Sequence, residues 1–329
     1  MNARVVILLP TLNGMSYLRE QVDSLIAQSY EGWDLIVRDD GSTDGTQSYL
    51  EQLAKVDSRI HIHTSSGLAS GSTIANVSIL IEAALDMQAK YIFLCDQDDI
   101  WLPTKVKRQL DLLQSIDDAL PALIVSDLIV VDECVSGTAQ SSWFRLHGVP
   151  DSRCWSSAEL ASRNLFPGCS MAFNAELAKL ALPVPQSAIM HDWWLALLAA
   201  SSGSIKRTGE PLLKYRQHAE NQIGASNYRD QVSDTLNNWF GKGSRDFAKT
   251  FTQGYSALRR LVSRGFVGPS VDLVHAYVKL AEVPVWRRLF CFYRLGIRRY
   301  SVGLWIVFAG RLLFQCPKSQ SLESEPQDE

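Results

Sequence analysis

The sequence predicts an α/β protein, with a mostly parallel central sheet flanked by helices and a helical C-terminal extension. Three observations predict it. Short continuous apolar runs recur through the first hundred residues, the pattern of strands buried on both faces. Segments with apolar residues at helical spacing separate them, and strand–helix alternation at this period builds a right-handed parallel layer. Beyond about residue 226 the strand signals fade and helical patterns take over. The chain has 329 residues, enough for one large α/β domain or two modest ones, and its 46% hydrophobic and 20% charged residues are ordinary globular composition.

The elements follow in order. Residues 4–10, RVVILLP, read as a buried strand ended by Pro10. Residues 15–30 place Leu18, Val22, Leu25 and Ile26 at helical spacing. WDLIVRDD (33–40) reads as a second strand, TDGTQSYLEQLAK (43–55) as a capped helix start, and RIHIHT (59–64) alternates like a third strand. Residues 72–88 form another helix and KYIFLCD (90–96) a fourth strand. No G-x-G-x-x-G dinucleotide fingerprint follows the first strand, and no internal repeat is visible. In the second half, YRDQVSDTLNNWF (228–240) and VDLVHAYVKLAEV (271–283) read as helices.

Net charge is −3, so there is no global basic field and bulk nucleic-acid binding is not expected. The six cysteines (95, 134, 154, 169, 291 and 316) show no CxxC spacing. The apolar stretch near the N-terminus runs only from Val5 to Leu9, which does not read as a signal peptide. Together these predict reduced thiols and a cytoplasmic location, with Cys95 packed as a small apolar residue.

Ligands of an open parallel sheet sit outside the carboxyl ends of its strands. Three polar clusters fall there: PTLNG (10–14), RDDGSTDGT (38–46) and CDQDD (95–99). Crowded carboxylates raise one another's pKa unless a cation joins them. Along an extended segment Asp96 and Asp98 point to one side, roughly 7 Å apart at Cα. A hard divalent ion accepts one or two such carboxylates and completes its shell with water and phosphate oxygens. Asp99 reads instead as the cap of a helix beginning near Trp101–Pro103, and Ser42, Thr43 and Asp44 as turn or cap residues. Two acids before Gly41 exceed what a cap needs, so Asp40 is a ligand candidate.

PTLNG, DDGSTDGT and DQDDIW, in this order and spacing, resemble family 2 inverting glycosyltransferases of the GT-A fold, over roughly residues 4–225. FPGCSMAFN (166–174), MHDWWLALLAA (190–200) and YRQHAENQIGA (215–225) look like the rhamnosyltransferase branch. The resemblance implies a Rossmann-like sheet in a 1–225 catalytic domain, a Mg²⁺ or Mn²⁺ cofactor and a nucleotide-sugar donor such as dTDP-L-rhamnose. It implies that Thr11, Asn13 and Asp40 line the nucleotide pocket, with Asp40 accepting from the base. Asp96 would sit near ribose and metal, Asp98 would bind the metal, and Asp192 would be the general base. Two positions depart from many relatives: Ala75 stands where an Arg precedes Asn76, and His191 where an acid precedes Asp192.

Other roles stay open on the residues. Asp192 could also be the N-cap of the helix it opens. His218 reads as a metal or diphosphate ligand or as a polar loop histidine, and Arg216 as a diphosphate clamp or a surface charge. Trp193 and Trp194 read as an acceptor platform or as core, and Gly168 and Cys169 as a tight passage near the acceptor.

After a helical extension (226–283), residues 284–316 read as basic amphipathic helices, with Arg287, Arg294 and Arg298 on one face and Leu289, Phe292, Tyr293 and Tyr300 away from it. Residues 301–314 are too short to span a bilayer, so the segment reads as lying at a membrane interface, or else against the domain or a partner subunit. Membrane contact predicts a peripheral enzyme at the inner face of the cell membrane, acting on a lipid-linked or oligosaccharide acceptor in cell-surface polysaccharide or O-antigen assembly. Residues 317–329 form a polar, acidic tail too poor in apolar residues to fold. Two competing functions are a sugar-nucleotide-forming nucleotidyltransferase and a non-catalytic membrane-associated binding protein. The first expects a Gly-rich basic loop after the first strand, whereas PTLNGMSYLREQ has one glycine and no basic residue before Arg19.

Overall fold

The computed structural model describes residues 3–64, 70–135, 141–149, 155–218, 242–297 and 302–317. The predicted helix at 228–240, Arg298, Tyr300, Cys154, the end of the 215–225 motif and nearly all of the acidic tail lie outside the described residues. The described residues fall into two compact units: those within 1–143, 166–184 and 204–225, and those within 144–165, 185–203 and 226–329.

The first unit is built on one sheet. Strand β1 (Val5–Thr11) lies between β2 (Trp33–Asp39) and β4 (Tyr91–Leu94), parallel to both, and β3 (Ile60–Ile62) extends the layer beyond β2. Val5 to Leu9 are all fully buried, as expected of a continuous apolar strand covered on both faces. Helices α1 (Leu18–Ile26), α2 (Thr46–Val56) and α3 (Thr73–Asp86) make the connections, and Ser72 Oγ caps α3 by accepting from the Ala75 amide. This is the predicted parallel layer, with boundaries shifted by a few residues.

Beyond β4 the sheet departs from the sequence reading, which places no strand after residue 96. The short β5 (Ile100–Trp101) and helix α4 (Lys105–Leu113) precede β6 (Ala122–Val131). Strand β8 (Met171–Asn174) runs antiparallel between β4 and β6. Strand β9 (Ser204–Arg216) pairs parallel with β6 and antiparallel with β5, and β7 (Ser141–Ser142) adds to β6. The register of β6 on β9 shifts around Asp127, which also breaks the apolar run in the sequence. Asn174 locks the antiparallel insertion. Its Oδ1 accepts from Ala122 N (2.9 Å) and from Leu177 N (3.1 Å) at the start of α7 (Ala175–Ala181), and its Nδ2 donates to Leu120 O (2.7 Å).

After the short α5 (Trp143–Leu146), the second unit is helical: α6 (Ser157–Ser162), α8 (His191–Ser202), α9 (Lys242–Ser263), α10 (Pro269–Val278), α11 (Val285–Arg294) and α12 (Val302–Phe314). Phe251 of α9 stacks on Tyr277 of α10 at 4.9 Å between ring centroids, and Thr250 Oγ1 meets the Tyr277 hydroxyl at 2.7 Å. Phe308 of α12 packs on Phe247 and Phe292. Phe292 is therefore core, whereas Trp286, Phe290 and Tyr293 form an exposed aromatic stripe (80, 60 and 76% exposed) beside Arg287 and Arg294. Tyr293 lies with the exposed arginines rather than away from them. Among the described residues no helix is long and apolar enough to cross a membrane.

Candidate active site

The carboxyl ends of β1, β2 and β4 carry the three polar clusters, and hydrogen bonds weld the loops together. Asp39 organises the second loop, accepting from Ser42 N (2.9 Å), Ser42 Oγ (2.5 Å) and Gly41 N (3.2 Å), and from Thr11 Oγ1 of β1 (3.0 Å). Asn13 sits at φ 49°, a left-handed conformation that Asn tolerates. Its amide donates to Ser42 Oγ (2.7 Å) and its Oδ1 accepts from Thr43 N (2.9 Å). Asp44 accepts from Met15 N, Thr46 N and Thr46 Oγ1, the turn-and-cap role read for it.

Asp40 is held differently. Its Oδ1 accepts from Arg38 Nη1 (2.7 Å) and Ser70 N (2.5 Å). Burial alone would raise its pKa, but the Ser70 amide and the Arg38 guanidinium hold it below the usual carboxylate value.

The third loop turns immediately after β4, so Cys95–Asp99 is not the extended segment assumed above. Gln97 reaches back to β1: its Oε1 accepts from Leu12 N (2.9 Å) and its Nε2 donates to Leu12 O (3.0 Å). A Cβ on Gly14 would collide with the Gln97 amide, so a side chain here would displace Gln97 from Leu12. The D-x-D pattern drew attention to the aspartates and gave no signal for the residue between them.

The next two aspartates take opposite environments. Asp98 Oδ2 lies 2.8 Å from His218 Nε2, and the His218 ring stacks on Tyr17 with centroids 4.7 Å apart. Asp99 is fully buried, accepts from Arg216 N (3.3 Å), and does not cap a helix: α4 begins later, at Lys105, with Thr104 as its N-cap. Burial, with the charges of Asp98 and Asp96 beside it, pushes the Asp99 carboxyl well above its ordinary pKa. Ligand atoms of Asp96, Asp99 and Cys169 lie within 4.8 Å of one another. Burial also raises the Cys169 thiol far above its usual range. The soft sulfur of Cys169 does not suit a hard divalent ion. The carboxylate and imidazole of Asp98 and His218 do fit Mg²⁺ or Mn²⁺. Arg216 is 3% exposed and bonded within the unit, so it is neither a surface charge nor open to a diphosphate.

Asp192 belongs to the second unit. It lies in the first turn of α8, one residue past His191, while Met190 is the N-cap. The carboxylate is buried, and its Oδ1 accepts from Asn164 Nδ2 (3.0 Å) and Trp193 N (2.6 Å). Trp194 is fully buried core, with the Arg260 guanidinium 5.9 Å from its ring, and half-buried Trp193 donates its indole N–H to Leu160 O. His191 is buried, and desolvation lowers its pKa despite the Asp192 carboxylate. Gly168–Ser170 forms a 3₁₀ turn leading into β8.

The mixed α/β sheet, with acidic loops at the carboxyl ends of its first strands, is that of the GT-A fold. Residues 6–127 match the family described as Glycosyl transferase family 2. It is 35% identical over 109 residues to TuaG of Bacillus subtilis, a glycosyltransferase named for teichuronic acid biosynthesis, covering 33% of this chain and 41% of TuaG. The chain thus spans less than half the length of that relative. It is 26% identical over 280 residues to the dTDP-rhamnosyl transferase RfbG of Shigella flexneri, covering 78% of this chain and 89% of RfbG. Among solved structures, the mannosyltransferase PcManGT of Pyrobaculum calidifontis, in complex with GDP-Man and Mn²⁺, shares the fold with a TM-score of 0.52 and 15% identity over 95% of this chain and 81% of that one.

Proposed function

We propose that the protein transfers a sugar, L-rhamnose from dTDP-L-rhamnose, to a saccharide hydroxyl with inversion at the anomeric carbon, in the assembly of a cell-surface polysaccharide such as O-antigen lipopolysaccharide. The observation that carries the reading is the Asp98–His218 pair, 2.8 Å apart at the sheet edge that carries the loops after β1, β2 and β4. The dTDP-rhamnosyl relative supports the donor, and the TuaG and RfbG likenesses support the process.

Asp98 and His218 would hold Mg²⁺ or Mn²⁺, and the ion when bound supplies positive charge against the diphosphate leaving group. Asp40, kept ionised by Arg38 and Ser70, offers an acceptor for a base N–H. Asn13 and Thr11, held by their bonds to Ser42, Thr43 and Asp39, would line the nucleotide pocket, and Asp96 would sit near the ribose. Asp192 takes the proton from the acceptor hydroxyl, with Asn164 and the Trp193 amide fixing its carboxylate. One base and a single displacement invert the anomeric centre.

The enzyme works at the cytoplasmic face of the membrane, on a lipid-linked or oligosaccharide acceptor. Supporting this, residues 283–318 hold six arginines and one lysine with no acid, and α11 exposes Trp286, Phe290 and Tyr293.

A mass-spectrometric donor screen, with and without EDTA, tests the reading. Transfer from dTDP-L-rhamnose that EDTA abolishes is expected, with Asp192→Asn retaining donor binding but losing turnover by about 10²-fold or more. Full turnover by Asp192→Asn would sink the base assignment, and EDTA-insensitive transfer would sink the metal.

A further inference from the structure

We infer that Arg216, with Tyr17, is a positioning residue that sets the geometry of the Asp98–His218 pair; the inference rests on the reading of that pair as the metal site. Arg216 ends β9, and His218 follows two residues later. Its guanidinium is buried, and all three nitrogens are committed to different segments. Nε donates to the backbone oxygen of Asp98 (2.9 Å), Nη1 to the backbone oxygen of Glu133 (2.5 Å) and Nη2 to Glu20 Oε2 on α1 (2.5 Å). Its own amide donates to Asp99 Oδ1.

One side chain therefore ties the Asp98 backbone to the strand end that delivers His218. Tyr17 completes the support. Its ring lies 4.8 Å from the Arg216 guanidinium carbon and 4.7 Å from the His218 ring, and its hydroxyl donates to Glu133 Oε1 (2.7 Å). Arg216 thus holds the Asp98 backbone and Tyr17 the His218 ring, and the two supports are joined by the contact between the guanidinium and the Tyr17 ring. Planar guanidinium geometry is essential to this arrangement, because an ammonium group cannot reach three separated acceptors from one side-chain end.

The test is Mn²⁺ titration of the full-length protein, alone and with dTDP, reading free Mn²⁺ by electron paramagnetic resonance. Arg216→Lys should weaken Mn²⁺ binding by about tenfold or more, the range for residues that orient metal ligands. Tyr17→Phe, which keeps the ring and removes the Glu133 bond, should weaken it several-fold with Tm unchanged. A purely structural role would move Tm and leave the affinity of the folded protein alone. Wild-type affinity in folded Arg216→Lys overturns the proposal; if that variant does not fold, wild-type affinity in Tyr17→Phe overturns it. Asp98→Asn binding Mn²⁺ as tightly as the wild type, or no binding by the wild type, overturns the metal reading itself.

Discussion

Lys105, at the start of α4, is fully buried, with Nζ donating to Gln109 Oε1 (2.7 Å) and lying 4.6 Å from the Trp101 ring centroid. Burial lowers its pKa from 10.5 to about 8, and the neighbouring Cys169, Cys95, Asp99 and Asp96 offset that only in part. The folded state therefore binds this proton less tightly than the unfolded chain. At pH 7 both states hold it and the folded state bears the full cost, about 3 kcal/mol from the 2.5-unit difference between 10.5 and 8. As pH rises from 8 towards 10.5 the folded protein sheds the proton first and the cost disappears. Lys105→Met removes the charge and keeps most of the volume. It orphans Gln109 Oε1, but that loss does not depend on pH. The stability difference between Lys105→Met and wild type should thus shift in favour of wild type by about 2 kcal/mol between pH 7 and pH 9.5. Urea unfolding of both proteins across that range measures it, and parallel curves would refute the buried-cation argument.

Three further outcomes are expected. His191 is held neutral by burial while its unfolded pKa lies near 6.5, so its contribution is present above pH 6.5 and is lost as pH falls towards the folded pKa. His191→Gln should flatten the acid limb of the stability profile, by no more than about 1.4 kcal/mol per pH unit, in denaturation at pH 5–7. Gly14→Ala should cost about 1–2 kcal/mol by displacing Gln97 from Leu12, and should cost almost nothing in a Gln97→Ala background; additive losses in that double-mutant cycle would show that the glycine matters for another reason. Trp286→Ser and Phe290→Ser should each weaken sedimentation with phosphatidylglycerol vesicles by about tenfold with Tm unchanged, and equal binding to neutral vesicles would count against an anionic surface.

The first hundred residues were legible because β1, β2 and β4 carry short apolar runs and β3 alternates, and no long-range information is needed to recognise either pattern. The same rule fails for β6 and β9. Ser126 and Asp127 interrupt the first, and the second carries Lys206, Arg207, Glu210 and Pro211 within thirteen residues. What makes β9 a strand is its partner β6, fixed by the antiparallel insertion of β8 and by the Asn174 hydrogen bonds, and pairing at that sequence distance leaves no local signature. Asp98 stood out as a ligand candidate from residue type and place. Gln97 and Arg216 did not, because their importance lies in which backbone oxygens and amides they reach, and composition is silent about that.

Crowded acids after β4 raise the question of how the fold tolerates them, and the answer differs for each. Asp99 turns inward, where burial favours its neutral form and the Arg216 amide fills one oxygen. Two buried cations, Lys105 and Arg216, supply compensating charge from beneath, one near Asp96 and Asp99 and one on the Asp98 backbone. The loop can therefore be folded before any ligand arrives, with the Asp98 carboxylate directed at His218 rather than spent on holding the chain. If charge compensation came instead from a bound ion, removing the Arg216 fork would leave the loop's stability untouched. The hydrogen bonds that converge on it argue the opposite.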